Sequence, residues 1–172
     1  SITLFFKPKI ICEVGSFIGK STFSMAFAAD IYSKEYECSI YCCDISNEIN
    51  FPNITSTTIK QFHKKSSTEM FKHFESDQKI DLLHLDGRLQ NEDFDLLKNS
   101  LTEKTILILD DFEGNEKGVI NFINLLNNNL ISRKSHCLIF PIQDETKAKY
   151  NLLEKSTSGV LIPLKSLIIT TQ

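Results

Sequence analysis

The sequence predicts an α/β fold built on a mostly parallel sheet. Three observations carry this. Short apolar runs of strand character alternate with longer segments of helical periodicity along the chain, the pattern of repeated strand–helix units with right-handed crossovers. The best runs read as continuously apolar, as strands covered on both faces do. Three of them also end in a carboxylate, and sheets of this class bind ligands beyond the carboxyl ends of their strands, near the switch in strand order.

The elements follow in order. KIICEV (9–14) is an apolar run closed by glycine and predicts the first strand, with little of the chain before it. TFSMAFAADIYS (22–33) carries Phe23, Met25, Ala26, Phe27 and Ile31, a helical pattern broad enough to be mostly buried. CSIYCCD (38–44) is a second strand, and ITSTTIKQF (54–62) a weaker third. STEMFKHFE (67–75) opens with a capping-box pattern, Ser66 or Ser67 with Glu69 close behind. KIDLLHLDG (79–87) is the fourth strand, followed by a helix NEDFDLLKNSL (91–101) capped by Asn91. TILILDD (105–111) is the clearest buried strand, and NEKGVINFINLLNN (115–128) the clearest amphipathic helix. HCLIFPI (136–142), a helix near 145–154 and GVLIPLKSLIITT (159–171) complete the chain, with Pro163 marking the last strand as edge or bulged. No repeat or linker interrupts it, so residues 1–172 are expected to form a single domain.

Composition excludes several classes. The net charge of -3 and the lack of a basic run beyond Lys64-Lys65 give no basis for a nucleic-acid partner. No apolar stretch is long enough to span a bilayer, so no membrane partner is expected. The opening residues lack the basic start and cleavage site of a signal peptide. Five cysteines, an odd number without CxxC spacing, read as buried thiols in a reducing cytoplasm.

CEVGSFIGKST (12–22) is the motif that asks for a ligand. A Walker A loop would need glycine at position 14, where Val14 stands, so the phosphate-cradling loop is one residue short. A dinucleotide fingerprint would need a glycine where Phe17 stands, the point at which backbone approaches a pyrophosphate. Glu13, one residue before Gly15, would repel a diphosphate and attract a cation. The combination suits S-adenosylmethionine, which carries a sulfonium and an ammonium and no phosphate. The carboxylate or backbone carbonyls would meet the ammonium, and glycine would give clearance.

The same stretch resembles the first motif of class I S-adenosylmethionine-dependent methyltransferases. It is most similar to the catechol O-methyltransferase-like branch (methyltransferase family 24 type), which uses Glu-x-Gly-x-x-x-Gly-x-Ser. The resemblance runs to about residue 127. It implies a Rossmann-like sheet of seven strands in the order 3-2-1-4-5-7-6, with strand seven antiparallel and helices on both faces. It also implies cofactor contacts from Glu13, Gly15, Ser16 and Gly19 in the loop. Asp44, or Glu48 if the second strand runs on, would receive the ribose hydroxyls; Ser67 and Thr68 would meet the adenine, and Asp86 would border the cofactor.

Asp86, Asp110 and Asp111 end neighbouring strands in that order, and uncompensated carboxylates at close range are costly. All-oxygen ligands suit Mg²⁺. Similar metal-dependent O-methyltransferases hold a divalent cation with acids at these places. The implied chemistry is methyl transfer to a small hydroxylated acceptor, with Asp86, Asp110 and His84 as candidate catalytic residues. Related enzymes often place a base just beyond the strand-four acid, where this chain has Arg88 and Leu89. Arginine stays protonated and leucine has no titratable group. His84 is therefore a candidate, although a buried hydrogen-bonded role suits it better, and His63 beside Lys64 is a weaker one. A non-catalytic binding module of the same fold, and an NAD-binding protein, are the alternatives. Walls for the acceptor must come from loops, from the partner subunit of a homodimer, or from a further segment.

Overall fold

The computed structural model describes residues 2–33, 37–46, 55–74, 77–112, 115–132, 134, 136–139 and 158–167. Seven strands form one sheet: β1 Ile10–Val14, β2 Ser39–Asp44, β3 Thr58–His63, β4 Leu82–Leu85, β5 Ile106–Leu109, β6 His136–Ile139 and β7 Gly159–Pro163. The helices are α1 Ile2–Phe6, α2 Lys20–Tyr32, α3 Ser67–Phe71, α4 Asn91–Ser100, α5 Lys117–Asn127 and α6 Leu164–Leu167. The strand order is β3-β2-β1-β4-β5-β7-β6. Strands β1 to β5 pair in parallel, and β7 runs antiparallel between β5 and β6. This is the expected methyltransferase-type sheet. Glu48 and the helix expected near 145–154 lie outside the described residues.

The core follows from strand alternation. One face of the sheet presents Ile11, Ile40 and Leu82 to Met25, Ala26, Ala29 and Tyr32 of α2. The other presents Cys12, Val14, Tyr41, Leu83, Leu85, Leu107 and Leu109 to Met70 and Phe71 of α3, Phe94 and Leu97 of α4, and Leu125 of α5. Every residue of β4 is buried, as a central parallel strand covered on both faces must be. The Tyr32 hydroxyl, buried under α2, donates to the Pro8 carbonyl at 2.8 Å and so satisfies its polar end.

Three local expectations change. A five-residue helix, α1, precedes β1 and packs Ile2 and Phe6 against Ile106, Val160 and Ile162. The cap of α4 is Gln90 rather than Asn91: the Asp93 carboxylate accepts the Gln90 N–H at 2.8 Å, and Asn91 becomes the first helical residue. Strand β7 is interior, not an edge. Pro163 is tolerated because it is the last residue of the strand, opposite His136, where a missing N–H removes the least from the ladder.

The thiols are packing groups. Cys12, Cys38, Cys42 and Cys43 are buried and no described cysteine is in a disulfide. Burial pushes the Cys43 thiol up to about 12 and raises Cys12 as well, which keeps both protonated and unreactive. No described helix is long and apolar enough to cross a membrane.

Candidate functional site

The loop after β1 is shaped by its glycines and tied to three strands. Gly15 and Gly19 have φ of 89° and 79°, the left-handed region that glycine enters without penalty. The N–H groups of Gly15 and Ser16 donate to the Cys43 carbonyl at 2.9 and 3.1 Å, which fastens the loop to β2. A Cβ on Gly15 would lie 2.7 Å from the carbonyl carbon and oxygen of Asp86 and 2.8 Å from the Gly87 nitrogen, so the loop abuts the end of β4 directly. Phe17 also has a positive φ, 41°, and its N–H donates to Asp44 at 2.8 Å. The second Asp44 oxygen accepts the Ser46 N–H, also at 2.8 Å. Asp44 thus fixes both the glycine loop and the turn beyond β2.

A cleft of about 260 Å³ opens at these strand ends. Gly15, Asp44, Ile45, Ser67, Asp86, Gly87 and Arg88 are among its lining residues. It lies at the carboxyl ends of β1, β2 and β4, where the strand order turns, which is where open α/β sheets take ligands. Ser67 faces it at the start of α3, yet its hydroxyl donates to Asp93. Thr68 is buried, donates to Asp93 and to Gln90, and is not among the lining residues. Asp93, fully buried, gathers these two hydroxyls and the Gln90 N–H, and so pins α3 to α4. His63 stands opposite Asp44 in register at the end of β3.

Glu13 points away from the cleft. Strand alternation puts it on the α2 face, where it has no exposed surface. Its carboxylate accepts from the hydroxyls of Ser21 and Thr22, in the first turn of α2, and pairs with His84 Nδ1 at 2.9 Å. His84 is the register partner of Glu13 across β1 and β4. Both residues therefore sit beneath the loop, and neither lines the cleft. Ser16 is buried as well and hydrogen-bonds the Cys42 thiol.

Burial alone would push the His84 imidazole down, but the hydrogen bond and charge of Glu13 outweigh it and hold it above its ordinary 6.5. A group raised on folding contributes stability that is complete below its unfolded value and fades as pH climbs through the folded one. Stability is therefore expected to fall as pH rises from below 6.5, and His84→Gln to flatten that dependence. A wild-type denaturation midpoint that stays level over this interval refutes the charged pair.

Two of the three acids beyond β4 and β5 meet at an ammonium that the sequence reading did not foresee. Lys117 Nζ, at the first position of α5, forms ion pairs with Asp86 and with Asp111, the latter at 3.0 Å. Asp110 accepts from the Ser158 hydroxyl at 2.6 Å. Burial pushes Asp86 up, with Lys117 opposing and Asp110 adding to the rise. Burial disfavours the charged Lys117, but the pairing with Asp86 and Asp111 prevails and raises it. Asn121, buried on α5, accepts the Leu89 N–H at 3.1 Å and donates to the Gly87 carbonyl at 2.8 Å. Helix α5 therefore holds the loop beyond β4 as well as its acids. Leu89 is buried and Arg88 exposed on the cleft. Among the described residues no group of three or more His, Cys, Asp or Glu side chains is arranged to hold a metal ion.

Comparison with known proteins bears on the family and the fold. A family profile described as a methyltransferase domain matches residues 12–112. The O-methyltransferase from Bacillus cereus in complex with SAH is 12% identical over 94% of this chain and 77% of its own, with a TM-score of 0.57. The O-methyltransferase TomG from Streptomyces achromogenes, in complex with SAM, is 13% identical over 94% and 76%, also at 0.57. The cmcI-D160 Mg-SAM structure is 17% identical over 95% and 68%, at 0.53. At such identities the likeness is one of fold. No curated protein matches the sequence.

Proposed function

The chain belongs to the methyltransferase-domain family of S-adenosylmethionine-dependent enzymes, and on that premise we propose that it transfers a methyl group to the hydroxyl of a small acceptor such as a sugar, a phenol or a secondary metabolite. The observation that carries this reading is the cleft at the ends of β1, β2 and β4, backed by Gly15 and walled by Asp44 and Asp86. Gly15 lets the loop close against the end of β4, where any side chain would collide with the backbone of Asp86 and Gly87. The two carboxylates suit a ligand that combines ribose hydroxyls with positive charge, and the N–H groups of Gly15, Ser16, Phe17 and Gly19, which could otherwise cradle a diphosphate, donate within the protein.

Residue roles follow. Asp44 would accept from the ribose hydroxyls while it holds the loop through Phe17 and the turn through Ser46. Gly15 and Ser67 would border the nucleoside, and Ile45 would cover its edge. Glu13, with His84, Ser21 and Thr22, would act from behind by fixing the start of α2 relative to β1 and β4. Bound S-adenosylmethionine supplies a methyl group made electrophilic by its sulfonium. Asp86, on the cleft wall, would take the acceptor's hydroxyl proton, a role that an arginine side chain such as that of Arg88 does not fill. Alignment of the two reactants by these walls would supply much of the rate.

The divalent cation implied by the family resemblance does not fit the acids as they stand. Lys117 pairs with two of the three, and Asp110 is bonded to Ser158. No step is assigned to Mg²⁺.

Calorimetric titration with S-adenosylhomocysteine tests the reading, with NADH as the contrasting ligand. Heat of binding is expected for the first and none for the second; the reverse result overturns it. Asp44→Ala is expected to weaken S-adenosylhomocysteine on the order of tenfold or more, since it removes a charged hydrogen-bond acceptor and loosens the loop.

A further inference from the structure

We infer that the Lys117 ammonium is the fixed cation of the acid cluster, standing where a divalent metal would otherwise sit and keeping that metal out. The argument begins with placement. Asp86 follows β4, Asp110 and Asp111 follow β5, and these strands are hydrogen-bonded neighbours. Three carboxylates so gathered need a positive partner. That partner is already in the chain, seated on Asp86 and Asp111 and only 27% exposed.

The backbone is built to deliver it. Lys117 opens α5, and the next residue is Gly118, whose missing side chain matters: a Cβ there would overlap the Asp110 carbonyl oxygen and stand 3.0 Å from that of Asp111. Only glycine lets the first turn of α5 ride against the end of β5 this closely. The Gly118 N–H donates to the Asp111 carbonyl at 3.2 Å and locks the contact. Asn121, one turn further on, ties the same helix to Gly87 and Leu89 beyond β4. The ammonium is thus held from both sides rather than swinging from a free helix end. The positive end of α5 adds to the field at the same place.

The chemical consequence is a change of device at one position. A lysine ammonium donates hydrogen bonds and carries a single charge; it neutralises carboxylates and can steady an acceptor oxygen on the cleft side, but it does not chelate. The inference leans on the proposed methyl transfer only in naming that oxygen. Occupancy of the cluster by a cation is decided without any acceptor.

Mn²⁺ is the probe. Electron paramagnetic resonance of free Mn²⁺ titrated with the whole chain reports binding directly, and S-adenosylhomocysteine calorimetry with chelator present runs beside it. The wild-type protein is expected to leave the Mn²⁺ signal unchanged. Lys117→Met is expected to create Mn²⁺ binding, because it frees Asp86 and Asp111 beside Asp110, while Lys117→Arg keeps the cation and binds none. Thermal melts accompany each variant, and Lys117→Gln carries the same comparison where the methionine variant melts early. Mn²⁺ binding by the wild type overturns the inference, as does a folded Lys117→Met that binds no Mn²⁺. Failure of S-adenosylhomocysteine to bind would sink the methyl-transfer reading and leave the Mn²⁺ result standing.

Discussion

Glu13→Ala is expected to cost about 3–5 kcal/mol of folding stability, the range for removing one partner of a buried, hydrogen-bonded ion pair. The magnitude comes from what converges on this carboxylate. It has no exposed surface, and it accepts from His84, Ser21 and Thr22, which belong to a neighbouring strand and to the first turn of α2. Truncation strands two hydroxyls and an imidazole in a dry site and leaves a cavity. Histidine would respond by shedding its proton, so the loss lies in unmade hydrogen bonds and lost packing more than in a bare buried charge. Urea denaturation measures it. A change below about 1 kcal/mol, the worth of an ordinary surface contact, would show that the network is not what joins β1, β4 and α2. Glu13→Gln is the companion variant: it keeps the shape and an acceptor oxygen, and is expected to lose less.

This residue also marks where the sequence stopped being legible. Local signals were enough for the alternating strands and helices, the glycine loop after the first strand and the acids at the strand ends, because each depends on a few consecutive residues. They were enough to choose the ligand class, since Val14 and Phe17 argue against the phosphate-binding loops from spacing alone. They were not enough to say which way Glu13 faces. That is set by register with His84, 71 positions away, and by a helix that covers the same face. The hydroxyl of Thr68 is claimed by Asp93 through the packing of α3 on α4, which no local pattern announces. Lys117 was invisible for the same reason. Nothing in GNEKGV marks that lysine as a partner of Asp86 until Gly118 brings α5 against the end of β5. Pro163 misled because proline's penalty depends on which ladder bond it removes, and at the last residue of β7 it removes little.

Gly15→Ala is expected to weaken cofactor binding by roughly a hundredfold or more while the far side of the sheet stays folded. Two costs add. Alanine at φ of 89° stores roughly 1–3 kcal/mol of backbone strain. Its Cβ would also stand 2.7 Å from the Asp86 carbonyl group and 2.8 Å from the Gly87 nitrogen, closer than such atoms approach. Those neighbours are backbone and cannot turn aside. Asp86 donates its N–H to the Val14 carbonyl at 2.9 Å, and Asp110 donates to Leu85 at 3.0 Å, so the end of β4 is clamped between β1 and β5. The loop must move instead, and it cannot do so without breaking the bonds from Gly15 and Ser16 to Cys43. With it go the Phe17 contact to Asp44 and the back wall of the cleft. A combined cost of about 3 kcal/mol or more on the binding-competent loop corresponds to a loss of roughly a hundredfold in affinity for S-adenosylhomocysteine. Gly87→Ala is the control within the same cleft. Its Cβ would meet the Val14 side chain at 3.0 Å and the Val14 carbonyl oxygen at 3.3 Å, a tight fit that a side chain can relieve in part. It should therefore bind more weakly than wild type but far better than Gly15→Ala. Equal affinities for the two variants in calorimetry would mean that the close packing of Gly15 on the end of β4 is not what holds the loop in its binding shape.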